Sequence, residues 1–260
     1  MDEKVTRREF LTQAALASGG CAVFLLLGPG RGANASSAGG GGGASPLGDY
    51  DWEQHSYAYL IDAAACIGCG MCVKACKAEN KVPDDNFRTW IERYEISEDG
   101  HAQVDSPNGG LNGFEENVSH IKIAKAFFVP KMCNHCKAAP CVQVCPVGAT
   151  YRTRDGVVLV DPKHCVGCGY CIQACPYAAR FMNPQTHTAD KCTLCYHRIT
   201  KGLKPACVAA CPVQARQLAD MKNQFDPVRK RIMTERVAIL APELLTEPSC
   251  YYLALDKEVR

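Results

Sequence analysis

Apolar positions in this chain come mostly in short runs. Residues 57–61, 89–96, 121–129 and 157–160 are rich in β-branched and aromatic side chains and read as strands. Pro107-Asn-Gly-Gly110 marks a turn between the second and third of these. Asp155-Gly156 stands between residues 149–154 and 157–160, which predicts a hairpin, because a tight turn needs the positive φ that such residues tolerate. Residues 226–240 read as a short helix and residues 251–255 as an extended tail. Mixed short strands and helices place the chain in the α+β class.

The longest apolar run lies at the start. Residues 11–27 are apolar except for the break at Ser18-Gly19-Gly20. Thr6-Arg7-Arg8-Glu9-Phe10-Leu11 precedes the run as a twin-arginine signature, and Ala33-Asn34-Ala35 follows as an A-x-A cleavage site. Residues 1–35 are therefore expected to be an export leader, with retention as a membrane anchor the other reading, because the run is near the lower length limit for a span. Lipidation at Cys21 is disfavoured: Ser18 stands three places before it, and the apolar run continues past it as Ala22-Val23-Phe24-Leu25. Residues 36–54, with Gly39 to Gly43 at their centre, read as a flexible linker. Beyond residue 45 no apolar run approaches membrane-spanning length.

Charge changes this picture little. Removing residues 1–35 takes away four basic and three acidic side chains, leaving 25 basic, 24 acidic and a net charge of +1. Such a balance gives no support to nucleic-acid binding.

Cysteine changes it completely. Sixteen of the 18 cysteines fall into four groups. These are Cys66-x2-Cys69-x2-Cys72-x3-Cys76, Cys133-x2-Cys136-x4-Cys141-x3-Cys145, Cys165-x2-Cys168-x2-Cys171-x3-Cys175 and Cys192-x2-Cys195-x11-Cys207-x3-Cys211. Proline follows the last cysteine in three of them, as Pro146, Pro176 and Pro212; the first has Lys77 there. A C-x2-C-x2-C-x3-C-P run is the bacterial ferredoxin spacing, so sixteen thiolates are expected to hold four [4Fe–4S] clusters. Zinc also uses C-x2-C pairs, but takes four ligands in two pairs rather than third and fourth cysteines at fixed offsets. Strained C-x2-C-x2-C loops make poor disulfide frameworks. Haem attachment needs C-x-x-C-H, and Cys195 is followed by Tyr196, with His197 one place too late. Cys250 is solitary and reads as a packed thiol.

The fourth cysteine of each group cannot turn back to its own cube and ligates a neighbour. One cluster is expected on Cys133, Cys136, Cys141 and Cys175, and its neighbour on Cys165, Cys168, Cys171 and Cys145. A third is expected on Cys66, Cys69, Cys72 and Cys211, and the fourth on Cys192, Cys195, Cys207 and Cys76. Internal repeats support the pairing: Asp62-x3-Cys66 matches Asp161-x3-Cys165, and Cys175-Pro-Tyr-Ala-Ala-Arg180 matches Cys211-Pro-Val-Gln-Ala-Arg216. The expected architecture is two bacterial-ferredoxin-like modules, one inserted in the other. Residues 55–76 and 186–216 form the outer module, 131–185 the inner one, 77–130 a β insertion and 217–260 a C-terminal docking tail. Lys74, Lys131 and Lys191 beside the groups either offset cluster charge or are solvated.

The group order, the x4 and x11 gaps and the Asp-x3-Cys lead-ins resemble one family over roughly residues 55–255. It comprises the four-cluster iron–sulfur subunits of molybdopterin oxidoreductases and related quinone-linked complexes. These include the dimethyl sulfoxide, polysulfide, tetrathionate and nitrite reductase systems and the membrane redox complex of sulfite reducers. The resemblance implies electron transfer between a multi-span membrane quinone subunit and a catalytic molybdopterin or cytochrome c subunit. With the leader, it implies a periplasmic or outer-face location. The chain carries no nucleotide-binding glycine motif after a strand, no nucleophile elbow and no open metal site, so a non-catalytic subunit is expected. The alternatives are a free-standing polyferredoxin and a zinc-stabilised structural protein.

Overall fold

The computed structural model describes residues 50–115 and 122–259; the leader, Cys21 and most of the linker lie outside them. The strands are β1 (Tyr57–Asp62), β2 (Thr89–Ser97), β3 (Ala102–Asp105), β4 (Ile123–Met132), β5 (Thr150–Arg152), β6 (Val158–Val160), β7 (Arg180–Met182), β8 (Ala189–Lys191), β9 (Arg216–Asp220), β10 (Val237–Ala238) and β11 (Cys250–Leu253). The helices are α1 (Met71–Asn80), α2 (Pro140–Gln143), α3 (Tyr170–Gln173), α4 (Tyr196–Ile199), α5 (Ala206–Ala209) and α6 (Pro227–Thr234).

β1 is apolar at nearly every position because both of its faces are covered. It sits inside a four-stranded sheet of order β10-β11-β1-β9, antiparallel to β9 and parallel to β11. Tyr59 and Ile61 join the main core, whereas Ala58 and Leu60 pack the other way against Ala219, Ile232 and Leu253. Ile232 comes from α6, whose first turn is capped by Asp226 accepting from the backbone N–H groups of Val228 and Arg229. A second sheet runs β3-β2-β4. Two hairpins, β5–β6 and β7–β8, complete the described strands.

The structure changes the reading of the sequence in two places. The segment read as an extended tail is the strand β11, hydrogen-bonded beside β1, and β10 pairs antiparallel with it. Sequence pattern alone cannot distinguish a loose apolar end from one that fills a sheet, since β11 finds its partner about 190 residues back. Second, β3 was not legible, because all four of its residues are exposed and only the backbone ladder with β2 defines it. The turn expected at Pro107–Gly110 is present, between β3 and β4. The Asp155-Gly156 hairpin is present, with Gly156 at φ 91° and the Thr153 N–H donating to the Val157 carbonyl at 2.9 Å. Asp155 itself turns inward. It is fully buried and accepts from the hydroxyls of Tyr50 (2.6 Å) and Tyr196 (2.8 Å).

Candidate functional site

Cysteine placement follows from α1. Ala, Met, Lys and Glu favour helix here, and the helix starts at Gly70 (φ 72°) and stops at Lys81 (φ 50°), both left-handed. Cys72 and Cys76 are four residues apart and both buried. They stand about 6 Å apart along the axis, one turn of helix. They therefore line different pockets. Cys66, Cys69, Cys72 and Cys211 surround one, together with Ile91, Pro130 and Arg216. Cys76, Cys192, Cys195 and Cys207 surround another, with Tyr59, Asn80, Arg88 and Met132. These are the two cysteine sets expected from the spacing of groups one and four.

In the other half one cysteine set comes together in the same way. Cys136 lies among the charges of Cys133, Cys141 and Cys175. That set is also the expected one. In the remaining set Cys168 is exposed, Cys145 and Cys165 are half-buried and Cys171 is buried. Cys165 and Cys171 pack in the same apolar cluster as Cys136 and Cys141, so the two inner sets adjoin. Among the described residues no group of three or more His, Cys, Asp or Glu side chains is placed to hold a single metal ion.

The lining is polar only where sulfur needs it. The Tyr59 hydroxyl lies 3.1 Å from Cys207 Sγ, and Arg180 Nη2 donates to Cys141 Sγ at 3.1 Å. Asn80 Nδ2 reaches Cys76 Sγ at 3.6 Å and Cys195 Sγ at 3.7 Å, joining two cysteines that are 119 positions apart in the chain. Backbone N–H groups of His135, Leu194 and Thr150 donate to the sulfurs of Cys133, Cys192 and Cys145. Burial pushes the thiol of Cys66 up to about 11 and those of Cys76 and Cys136 up to about 12. At Cys145 burial is outweighed by backbone N–H groups of Thr150, Val147 and Ala149, and its thiol is held below the ordinary value. The thiols of Cys66, Cys76 and Cys136 thus stay protonated at neutral pH until a metal displaces the proton.

The residues fit iron–sulfur clusters. The donor set is all thiol. Apart from Trp52 Nε1, the buried polar side-chain atoms that lack a hydrogen-bond partner among the described residues also gather round it: both amide atoms of Asn134, His135 Nε2, and Nε of Arg88, Arg180 and Arg216, with Arg216 Nη2. Buried polar atoms are normally satisfied, so orphans concentrated beside cysteine loops point to groups that thiolate-bound cubanes would meet. Arg180 and Arg216 were visible in the sequence only as the ends of a repeat. The signal was present, since each stands five places after a Cys-Pro cysteine, but its meaning depends on burial.

Comparison with known proteins agrees. Models of a 4Fe-4S dicluster domain match residues 65–149 and 124–221. Two such domains account for four 4Fe–4S clusters. A tetrathionate reductase subunit of Salmonella typhimurium is 40% identical over 253 residues, covering 96% of this chain and 89% of that one. The protein of the same description from Archaeoglobus fulgidus is 46% identical over 199 residues, covering 76% and 82%. The thiosulfate reductase electron transfer protein PhsB of Salmonella typhi is 41% identical over 162 residues, covering 62% and 74%.

Proposed function

Because this chain belongs to the family of 4Fe–4S dicluster iron–sulfur subunits that includes those of tetrathionate reductases, we propose that it wires a membrane quinone subunit to a catalytic one. It is an electron-transfer iron–sulfur subunit. A cubane held by four thiolates stores and passes one electron. Everything else is the chain's work: sixteen thiols hold the clusters in four mixed sets, and N–H donors bias their potentials.

The observation that carries this reading is the division of labour on α1. Cys72 and Cys76, one turn apart, belong to different pockets, so neighbouring clusters are joined by a single turn of backbone. We assign Cys66, Cys69, Cys72 and Cys211 to one cluster, and Cys76, Cys192, Cys195 and Cys207 to the next. Cys133, Cys136, Cys141 and Cys175 take the third, and Cys145, Cys165, Cys168 and Cys171 the fourth. Exposed apolar side chains flank both end sets: Ile67, Met71 and Val213 beside the first, Val147, Val166 and Tyr170 beside the last. These are suitable docking surfaces for the partners. The first faces the catalytic molybdopterin or cytochrome c subunit and the last a multi-span quinone subunit. The sheet β3-β2-β4 and the C-terminal region add docking surface. No described helix is long and apolar enough to cross a membrane. Attachment at the outer face then comes through the partner, after folded export by the twin-arginine leader.

The test has two parts. Anaerobically purified protein should contain about sixteen irons per chain with matching sulfide, four per cubane; a count near eight defeats the four-cluster assignment. Extraction from native membranes should bring down a multi-span protein, and replacing Arg7 and Arg8 by Lys should hold the chain inside the cell. A mature chain that washes off in mild salt as a monomer is a free carrier instead.

A further inference from the structure

We propose that three buried cations, Arg216, Lys191 and Arg180, occupy the gaps between successive cluster sites and raise the reduction potentials of the clusters on either side. Each is almost wholly buried, at 1%, 1% and 5% exposure. None forms an ion pair with a carboxylate among the described residues. An unpaired buried cation is strongly unfavourable unless an anion stands nearby.

The anions available are the cluster sites, and each cation meets two of them. Arg216 lines the pocket of Cys66, Cys69, Cys72 and Cys211, and its charge also acts on Cys207 of the next set. Lys191 donates from Nζ to the carbonyls of Val158 and Cys192. Its charge acts on Cys192 in one set and Cys141 in another. Arg180 donates to Cys141 Sγ at 3.1 Å and acts on Cys171 of the last set. Each cation thus adjoins two of the four assigned sites.

Two further observations support the assignment. Arg180 and Lys191 are direct cross-strand partners on β7 and β8. Like charges opposite one another destabilise a strand pair unless something negative lies beside them. Arg88 is the informative contrast. It lines the pocket of Cys76, but Asp190 lies 2.8 Å away and neutralises it. Cluster reduction adds a negative charge, so a neighbouring cation favours the reduced form.

The inference rests on the cluster assignment above, which the iron content of the unmutated protein tests separately. Potentiometric titration followed by electron paramagnetic resonance reads the inference itself. Arg216→Gln, Lys191→Met and Arg180→Gln should each shift the reduction equilibrium of two adjacent clusters about tenfold toward the oxidised form, about 59 mV lower for one electron. The affected pairs should overlap as the gaps do, while Arg216→Lys, Lys191→Arg and Arg180→Lys stay near the unmutated values. Arg88→Gln should shift its cluster less. The idea is overturned if the neutral variants keep their iron and all four potentials move less than about twofold, about 18 mV on the same scale. It is equally overturned if the charge-conserving variants shift as far as the neutral ones. Where a neutral variant fails to hold iron, its charge-conserving counterpart decides: retained iron and potentials support the proposal, and lost iron makes the residue structural and overturns it.

Discussion

Gly70 and Gly169 occupy the same place in two cysteine loops, each in the left-handed region, at φ 72° and 78°, just before a helix. Their surroundings differ. A Cβ at Gly70 would meet the Gly110 carbonyl oxygen at 2.4 Å, whereas at Gly169 nothing lies within 4 Å. Gly169→Ala should therefore cost only the left-handed strain of an L-residue, about 1–2 kcal/mol. Gly70→Ala adds a backbone clash that no rotamer relieves, so it should lower the thermal midpoint well beyond Gly169→Ala and reduce iron content. Equal effects in a melting and iron assay of the two variants would show that the loops bear their strain alone. The comparison isolates packing from conformation, because the motif Cys-Gly is identical at both positions.

At the scale of elements, the central sheet depends on its last strand. β11 lies between β10 and β1, and Tyr252 on it is fully buried and donates to the Pro130 carbonyl at 3.2 Å. Deleting residues 248–260 strips the β1 edge of its parallel partner and exposes Leu60. Loss of folded protein on denaturant titration is the expected outcome; a truncated chain that still unfolds cooperatively with full iron would contradict the integral role of β11. A milder probe is Leu60→Ala. Its side chain is fully buried with Ala58, Ala219, Ile232 and Leu253, and the cavity should cost about 2–5 kcal/mol in chemical unfolding. The hairpin β5–β6 shows the same dependence on context. Its turn was legible from Asp155-Gly156, but the inward bonding of Asp155 to Tyr50 and Tyr196 was not, since both tyrosines approach from distant segments.

For the whole molecule, distant cysteines share a fate. Cys211 lines the pocket of Cys66, Cys69 and Cys72 although it follows Cys207 by four residues. Cys211→Ala should remove about four irons of about sixteen. The lost paramagnetic signal should be that of the cluster on Cys66, Cys69 and Cys72, leaving Cys192, Cys195 and Cys207 served by Cys76. Loss of the Cys192 cluster instead would reverse the exchange. Chelating the iron should go further: the pockets keep buried Arg180, Lys191 and Arg216 without carboxylate partners, so the iron-free chain should lose its cooperative thermal transition in circular dichroism.

Cofactor chemistry was legible in the sequence alone, and so was the gathering of Cys211 with Cys66, Cys69 and Cys72, and of Cys76 with Cys192, Cys195 and Cys207, around their pockets, because both follow from local chain geometry. In groups one and three, three thiols fall within seven residues and the fourth stands one helical turn on; Cys72 and Cys76 on α1 accordingly line different pockets. The strands β1, β2, β4 and β6 were legible for the same local reason, as apolar runs between turn signals. What only the tertiary structure decided is where charge is buried and which distant strands meet. Lys191 looked the same in sequence as the exposed Lys74, yet it is buried where β8 meets β6 and the Cys192 loop. A cation's effect on a cluster depends on its distance and on how much water lies between, and neither exists until segments far apart in the chain have packed together.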